Sequence, residues 1–373
     1  MNIDFHYYGT YLAAREAGFT KEEAGVIAYA AQLVDDCTIH TFSKKVEFEQ
    51  IETSRDLNDI IADALNITEA YTEEDVRKAK EIWSYFHFLP GNQNDRVGYH
   101  GKTKSSIFEL ASWTFSPDKF RMMCLPESNL CQEMIADTMA ANHESPWFLH
   151  LIGIRMHVLA DTWAHVNFAG IPEWSINDVR QSQGIDEYDS GRWYRAEADA
   201  LKPDSPSNHT YHIANATSAR YVSPVYLGHG QIGQMPDLGY IRFRYVPVWR
   251  EKLDEGQRKI ERDNQQNFLK AFAQMVCALK SIHDGDAYPQ YADENLIGSD
   301  LRNEIKNVLS VRKLDQSDEW KTLIHHRLDE MPAEYRPQLW KEVCENSADK
   351  NATDYSYFCR GAKYHKEFLK AKF

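Results

Sequence analysis

Residues 145–170 read SPWFLHLIGIRMHVLADTWAHVNFAG, and the helix that they predict organises the rest of the chain. Ser145 is a favourable N-cap, Pro146 suits the first helical position, and Gly170 suits a C-terminal stop. Apolar side chains occupy nearly every face of this helix, which predicts an element inside the core. Ionisable groups in such an interior need a charged partner, a hydrogen bond or a metal ion.

Three metal-type ligands recur at intervals of four residues in this helix, namely His157, Asp161 and His165. At about 100° per residue they share roughly an 80° arc of one face, and each interval rises about 6 Å. Neighbouring pairs can therefore bind a common ion, whereas the outer pair, about 12 Å apart along the axis, cannot easily do so. Asp161 is thus the natural bridge. The alternative is a buried, hydrogen-bonded cluster without metal.

The N-terminal motif DFHYY supplies a second pair of candidate ligands, Asp4 and His6. Residues two apart in an extended segment point the same way, so both side chains would face one site if the segment is extended. The alternative is an ordinary N-terminal segment with one partly buried histidine.

A helix that begins at Thr20, with Glu23 as its capping-box partner, carries the next candidates. Its apolar stripe ends at Asp35, while Asp36 is turned away by about 100°. His40 would extend the cluster if the helix continues or turns tightly there. The alternative is a solvated helix end.

Two isolated histidines complete the candidate set. His87 lies among aromatic residues in the run WSYFHFLP, and His229 is flanked by glycines in LGHG, with Asp237 following in MPD. Glycines beside a histidine let the backbone approach an ion or a substrate closely. The alternatives are a structural histidine at position 87 and a turn with an incidental histidine at position 229.

The remaining patterns predict a mainly α-helical protein. Residues 44–80 are expected to be a peripheral insertion with helices at 56–65 and 72–83, and residues 171–249 an irregular, aromatic-rich insertion that forms a pocket wall. We expect a metal-binding core over residues 1–283, with a C-terminal helical extension over 284–373 packed on it.

The composition of the chain argues against some classes of function. The 373-residue chain has a net charge of −14, from 42 Lys and Arg against 56 Asp and Glu, which argues against a general binder of nucleic-acid backbones. Nucleic acid remains possible only as a substrate. Its 6 cysteines show no C-x-x-C spacing, so a thiolate zinc site is not expected. Without a signal-peptide pattern or a long apolar run, we expect a cytoplasmic protein or one exported by a non-classical route.

This dispersed set of histidines and aspartates resembles the zinc-dependent phospholipase C and P1-type nuclease group, an all-helical fold whose core holds up to three zinc ions. The motifs DFHYY, AYAAQLVDD, HVLADTWAH and GHG with a following PD are similar to a family of bacterial domains of unknown function. Zinc phospholipases C use the amino group of an N-terminal Trp as a ligand. This chain has Met1 in place of that Trp. Asp4 and His6 are therefore expected to serve as ligands instead of the Trp amine.

The resemblance implies a multi-helix bundle of that type and a metal-dependent hydrolase of phosphodiester bonds, with Asp161 and Asp35 as catalytic residues. Imidazole and carboxylate ligands suit Zn²⁺, with Mn²⁺ or Fe as alternatives, in two or three sites. The substrate would be a phosphodiester-type small molecule, a lipid or a nucleic acid. The expected ligands are His157, Asp161, His165, His6, Asp35 and His229, followed by Asp4, Asp36, His40, His87 and Asp237.

Two other functions fit the same residues. One is a helical interaction protein without catalysis, which holds a structural metal or a buried polar core. The other is metal-dependent hydrolysis of a different bond, such as an amide or a phosphomonoester. An open coordination position would favour the enzymes, because structural zinc is normally closed by four protein ligands.

Overall fold

The computed structural model describes residues 1–54, 73–98, 100, 117–179, 185–198, 210–211, 226–289 and 294–373. A π-helical turn, Asp4–Gly9, leads directly into the first α-helix. The helices of these ranges are α1 (Thr10–Glu16), α2 (Lys21–Asp36), α3 (Glu73–Phe86), α4 (Pro117–Phe120), α5 (Asn129–Ala140), α6 (Phe148–Ala164), α7 (Trp174–Asn177), α8 (Glu255–Arg258), α9 (Asn264–Asp284), α10 (Ser299–Ser310), α11 (Ser317–Leu328), α12 (Leu339–Asn346) and α13 (Asp354–Lys370).

Helix α6 is the predicted central element, and almost all of its residues are buried. Its ends differ from the prediction. The helix begins at Phe148, after a turn that contains Ser145, and Trp147 occupies the N-cap without a capping side chain. It ends at Ala164, so His165 is the C-cap residue and not part of a helix that runs to residue 170. The backbone at His165 is no longer helical, so the helical period does not set the direction of its side chain.

Helix α2 packs closely against α6. Its predicted capping box is present, since Thr20 and Glu23 exchange hydrogen bonds at the helix start. Gly153 of α6 makes the close approach possible, because a Cβ at this position would overlap the carbonyl oxygen of Ile27 and lie 2.7 Å from the Cβ of Ala30. This contact fixes the C-terminal end of α2 beside α6.

The C-terminal helices contribute to the same core as the N-terminal ones. Trp320 of α11 packs edge-on against Phe5, with ring centroids 5.8 Å apart, and stacks on Phe272 of α9 at 6.1 Å. The division of the chain at residue 283 stays a prediction.

The structure confirms a mostly helical protein and adds a small sheet that the sequence did not predict. Strands β1 (Asp186–Asp189), β2 (Arg192–Arg195), β5 (Arg242–Tyr245) and β6 (Ile260–Asp263) form an antiparallel sheet in the order β2-β1-β5-β6. The short strands β3 (Glu197–Ala198) and β4 (Thr210–Tyr211) pair in parallel. Much of the predicted irregular insertion is therefore ordered around a second apolar cluster.

The predicted peripheral region is described only in part. Helix α3 confirms the helix expected at 72–83, although it continues to Phe86, whereas the helix expected at 56–65 lies outside the described residues. None of the helices in the described ranges combines the length and apolarity needed to cross a bilayer.

We predict that Gly153→Ala lowers the free energy of unfolding by about 2 kcal/mol, because the added methyl group separates α2 from α6. Gly25→Ala in α2 is the matched control, since nothing lies within 4 Å of a Cβ there. Alanine's higher helix propensity should make this variant up to about 1 kcal/mol more stable. Urea unfolding of both variants measures the difference, and equal stabilities would contradict the close packing at Gly153.

A second prediction concerns acid stability through His365 of α13. Its buried Nε2 donates to the Tyr85 carbonyl at 2.9 Å, while Nδ1 has no partner among the described residues. Burial, assisted by the charge of Arg155, lowers the pKa of His365 from 6.5 to about 3. The unfolded chain therefore binds a proton below pH 6.5 that the folded chain does not bind, so stability falls as the pH decreases toward 3.

We expect His365→Gln, which retains an N–H donor, to reduce this loss between pH 6.5 and 5 by roughly 1–2 kcal/mol. Urea unfolding at a series of pH values provides the measurement. An unchanged slope in the variant would show that His365 does not contribute to acid sensitivity.

Candidate metal centre

Distant parts of the chain bring histidines and aspartates to one enclosed place. The N-terminal turn, the end of α2, the residue after α3, helix α6 with its C-cap, and the loop that follows residue 226 each contribute. The side chains that meet there are those of His6, Asp35, His87, His157, Asp161, His165, His229 and Asp237. All eight belong to the set predicted from the sequence.

Asp161 lies at the middle of this cluster, with 1% of its side chain exposed. Its Oδ1 is 3.1 Å from Nε2 of His6, and its Oδ2 is 3.1 Å from Nε2 of His157 and 3.5 Å from Nδ1 of His87. Burial alone would raise the pKa of Asp161, but the charges of His165, the amino terminus and the other imidazoles hold it well below its usual range. Asp161 thus lies near both His157 and His165, at 3.1 and 3.6 Å, and its role as a bridge between ions stays a prediction.

Hydrogen bonds to backbone carbonyls determine which ring nitrogen carries a proton in three of the histidines. Nε2 of His87 lies 2.9 Å from the Thr53 carbonyl, Nδ1 of His165 lies 2.7 Å from the His87 carbonyl, and Nδ1 of His229 lies 2.7 Å from the Gly233 carbonyl. A carbonyl oxygen only accepts, so each of these nitrogens carries a proton. In a neutral imidazole the opposite nitrogen then presents a lone pair.

The second ring nitrogens of His165 and His229 both face the Asp237 carboxylate. Nε2 of His165 is 3.2 Å from Oδ1 of Asp237, and Nε2 of His229 is 3.4 Å from Oδ2 of the same residue. Burial lowers the pKa of His229 to about 4, so its ring is neutral at pH 7. Two acceptors that face each other in a buried site repel unless a cation lies between them. This arrangement, with the other ring nitrogen donating to a carbonyl, is that of metal-binding histidines.

The ligand atoms fall into three groups, two of which share His157, and in each group the atoms lie within 4.8 Å of one another. The groups are His6 with Asp35 and His157, His87 with His157 and Asp161, and His165 with His229 and Asp237. Their nitrogen and oxygen donors fit Zn²⁺, and also Mn²⁺ or Fe. His157 and His165 belong to different groups, as their separation along the helix predicts.

The amino group of Met1 also lies in the cluster, which sequence analysis did not predict. Its nitrogen is 2.8 Å from Oδ1 of Asp161 and 3.2 Å from Oδ1 of Asp237. Burial opposes the charge, but these two carboxylates raise the pKa of the amino group to about 11. A main-chain amine leaves no residue pattern, so the only signal was the resemblance to enzymes that use an N-terminal amine.

Asp4 lies outside the cluster, and the expectation that DFHYY is extended was wrong. In the observed helical turn, residues two apart point in nearly opposite directions, so only His6 faces the centre. The Asp4 carboxylate accepts hydrogen bonds from the backbone N–H groups of Phe5 and Gln316, at 2.8 and 2.9 Å. Burial raises the pKa of Asp4 to about 6.

Asp36 and His40 also lie outside the three groups. Asp36 accepts from the Tyr335 hydroxyl at 2.8 Å and from the Gln32 amide at 3.1 Å. Helix α2 ends at Asp36, so His40 is not carried back to the cluster and instead packs its ring against Phe42. The predicted difference in direction between Asp35 and Asp36 is observed.

A cavity of about 230 Å³ opens beside the ligands. Asp35, His87, His165, His229 and Asp237 reach it, together with Met1, Ser54, Trp83, Phe88, Leu227 and Gly230. Its aromatic wall within the described residues comes from Trp83 and Phe88, and not from the Tyr and Trp residues of 171–249 as expected. Phe243, Tyr245 and Trp249 of that region pack in the second apolar cluster instead.

A glycine allows His229 to reach the site. Gly228 has a φ of +55°, which a side chain rarely adopts, and a Cβ there would overlap the ring of Phe88. The backbone at Gly228 thus lies close to the Phe88 ring, whereas its approach to an ion or a substrate stays a prediction.

Comparison with known sequences places the whole chain, residues 1–373, in one family. The chain belongs to the family of unknown function DUF6765. Neither the curated proteins nor the solved structures contain a match. The predicted membership of a family of unknown function is thus confirmed, whereas the resemblance to phospholipase C and P1 nuclease finds no support among known proteins.

We predict that the protein purified without added metal contains about two or three equivalents of zinc per chain, because the ligands form three groups. Asp35→Asn should lower the content by about one equivalent, and Asp161→Asn by more, since Asp161 contacts ligands of all three groups. Inductively coupled plasma mass spectrometry measures the content.

Asp36→Asn is the matched control for Asp35→Asn, because the two residues are adjacent in α2 and only Asp35 faces the cluster. Its metal content should equal that of the unaltered protein. Full metal content in both Asp35→Asn and Asp161→Asn would remove these carboxylates from the ligand set.

Proposed function

We propose that this DUF6765 protein is a metal-dependent hydrolase of phosphodiester bonds, of the kind represented by the zinc-dependent phospholipases C and P1-type nucleases that its motifs resemble. One observation carries the proposal. The neutral imidazole of His229 directs its lone pair at the Asp237 carboxylate beside an open cavity. A metal cation bound there would remove the repulsion between the lone pair and the carboxylate, and a substrate has room to reach it.

The cavity favours an enzyme over a structural metal site. Structural zinc is closed by four protein ligands, whereas a catalytic ion keeps a position for water or substrate. Here five of the eight cluster side chains line the cavity, and Asp35 keeps 30% of its side chain exposed. A closed structural site would not need its ligands to face an opening.

The chain would contribute mainly by holding its ligands in fixed positions. When bound, divalent ions would supply Lewis acidity and lower the pKa of water. The carbonyls of Thr53, His87 and Gly233 orient three imidazoles, and the rigid helix α6 sets His157 relative to Asp161. Asp161 links the groups, and Asp35 is the carboxylate nearest the cavity on the α2 side, which supports assigning catalytic roles to both.

The wall of the cavity suits a phosphodiester with an apolar or aromatic substituent. Trp83, Phe88 and Leu227 offer ring faces and aliphatic surface, on which a base or an acyl-bearing headgroup can pack. No lysine or arginine among the described residues lines this cavity. The single negative charge of a diester would therefore be met by the bound ions and the Met1 amine.

The proposal is tested with bis-p-nitrophenyl phosphate, phosphatidylcholine and single-stranded DNA as substrates. We expect chelator-sensitive hydrolysis of at least one of them, restored by Zn²⁺ or Mn²⁺. Asp35→Asn and Asp161→Asn should each lower the rate by about 100-fold or more, because both remove charge from the site. Asp36→Asn should retain the rate within about twofold.

Two outcomes would contradict the proposal. Tightly held metal with no hydrolysis of any of the three substrates would favour a structural centre in an interaction protein. Faster cleavage of p-nitrophenyl phosphate than of the diester would identify a phosphomonoesterase instead.

A further inference from the structure

A second cavity, of about 320 Å³, shares no lining residue with the cavity at the metal centre. It lies between Arg96 and His100 on one side, Asn167 beyond α6, and the turn that contains Trp249 and Arg250. Neither the predicted ligands nor the proposed reaction accounts for it.

Backbone hydrogen bonds hold two of these walls together. The His100 amide donates to the Trp249 carbonyl at 2.6 Å, and the Lys252 amide donates to the His100 carbonyl at 3.1 Å. The exposed Arg96 side chain is held at the rim by a bond from its Nη1 to the Pro126 carbonyl, at 3.1 Å. The backbone of His100 and the Arg96 side chain are thus held at the cavity by hydrogen bonds within the chain.

The polar groups that line this cavity are dominated by donors. It carries two guanidinium groups, an imidazole, an indole N–H and one amide side chain, and no carboxylate among the described residues lines it. This lining contrasts with a chain whose net charge is −14. A local group of cationic donors in an acidic protein favours an anionic ligand.

Two of these donors are buried without an acceptor among the described residues. Trp249 is 3% exposed and its Nε1 has no partner, and Nε of Arg250 has none either. Within the described residues, the only hydrogen bond of the Arg250 side chain is from Nη1 to the Lys259 carbonyl, at 3.4 Å. Buried N–H groups are rarely left unpaired in native proteins, so an external acceptor would complete this wall.

We propose that this cavity binds a phosphate group, carried by a small organic phosphate. A phosphate has several strong acceptor oxygens for guanidinium and indole donors. The volume is at the lower end of that of small-molecule pockets and leaves space for more than the phosphate itself. The site is independent of the metal centre, so it does not rest on the proposed hydrolase function.

Isothermal titration calorimetry with inorganic phosphate and with glycerol phosphate tests the proposal. Arg96→Gln and Arg250→Gln should each weaken binding by about tenfold, because each removes a charged donor. Arg192→Gln is the control for the loss of one positive charge, since Arg192 is exposed on β2 and does not line the cavity. Its affinity for phosphate should be unchanged.

The metal centre could also bind phosphate, so the titrations are repeated on Asp161→Asn treated with a chelator. Binding that persists in this variant and is lost in Arg96→Gln supports the second site. Comparison of the two ligands shows whether free or esterified phosphate is preferred. Three outcomes would overturn the proposal. They are equal affinities in the arginine variants and the control, loss of binding in the Asp161 variant, and no binding of either ligand. Arg96 lies at the exposed rim, so its variant keeps the test independent of folding.

Discussion

The Asp161 carboxylate is buried, and an unpaired charge in that position would cost several kcal/mol. Its oxygens lie 2.8 Å from the Met1 amino group, 3.1 Å from His6 and 3.1 Å from His157. These groups come from separate parts of the sequence, so they meet only when the chain is folded. These groups compensate the buried charge of the Asp161 carboxylate, and the carboxylate in turn stabilises the buried Met1 ammonium. The same contacts therefore form the core of the protein and the candidate metal centre.

Close approach of the backbone is the second requirement. Gly153 lets α2 pack against α6, which places Asp35 with its Oδ1 3.7 Å from Nε2 of His157. Gly228 lets the loop that carries His229 pass over the ring of Phe88. The ligands are thus fixed by the packing of the elements that carry them, as expected for a site that must hold cations at defined distances.

The local sequence predicts much of the helical structure and of the ligand spacing. The burial of α6 follows from its apolar composition, and the shared face of His157 and Asp161 and the separation of Asp35 from Asp36 follow from the helical period. Such features depend on consecutive residues only, so they can be derived without knowing what the helix contacts. The ends of α6 were predicted less well, because tertiary contacts decide where a helix stops.

Only the tertiary structure decided which candidates meet. Asp4 points away from His6 in the helical turn and bonds to Gln316, a partner 312 residues away that no local pattern could identify. The Met1 amine and the Trp83 wall entered the site for the same reason, through contacts between distant segments. The four-residue strands were missed because they are too short for a clear periodicity and are stabilised by pairing with one another. The sequence by itself therefore determined the helices and the ligand types, whereas long-range packing selected the ligands and shaped the cavity.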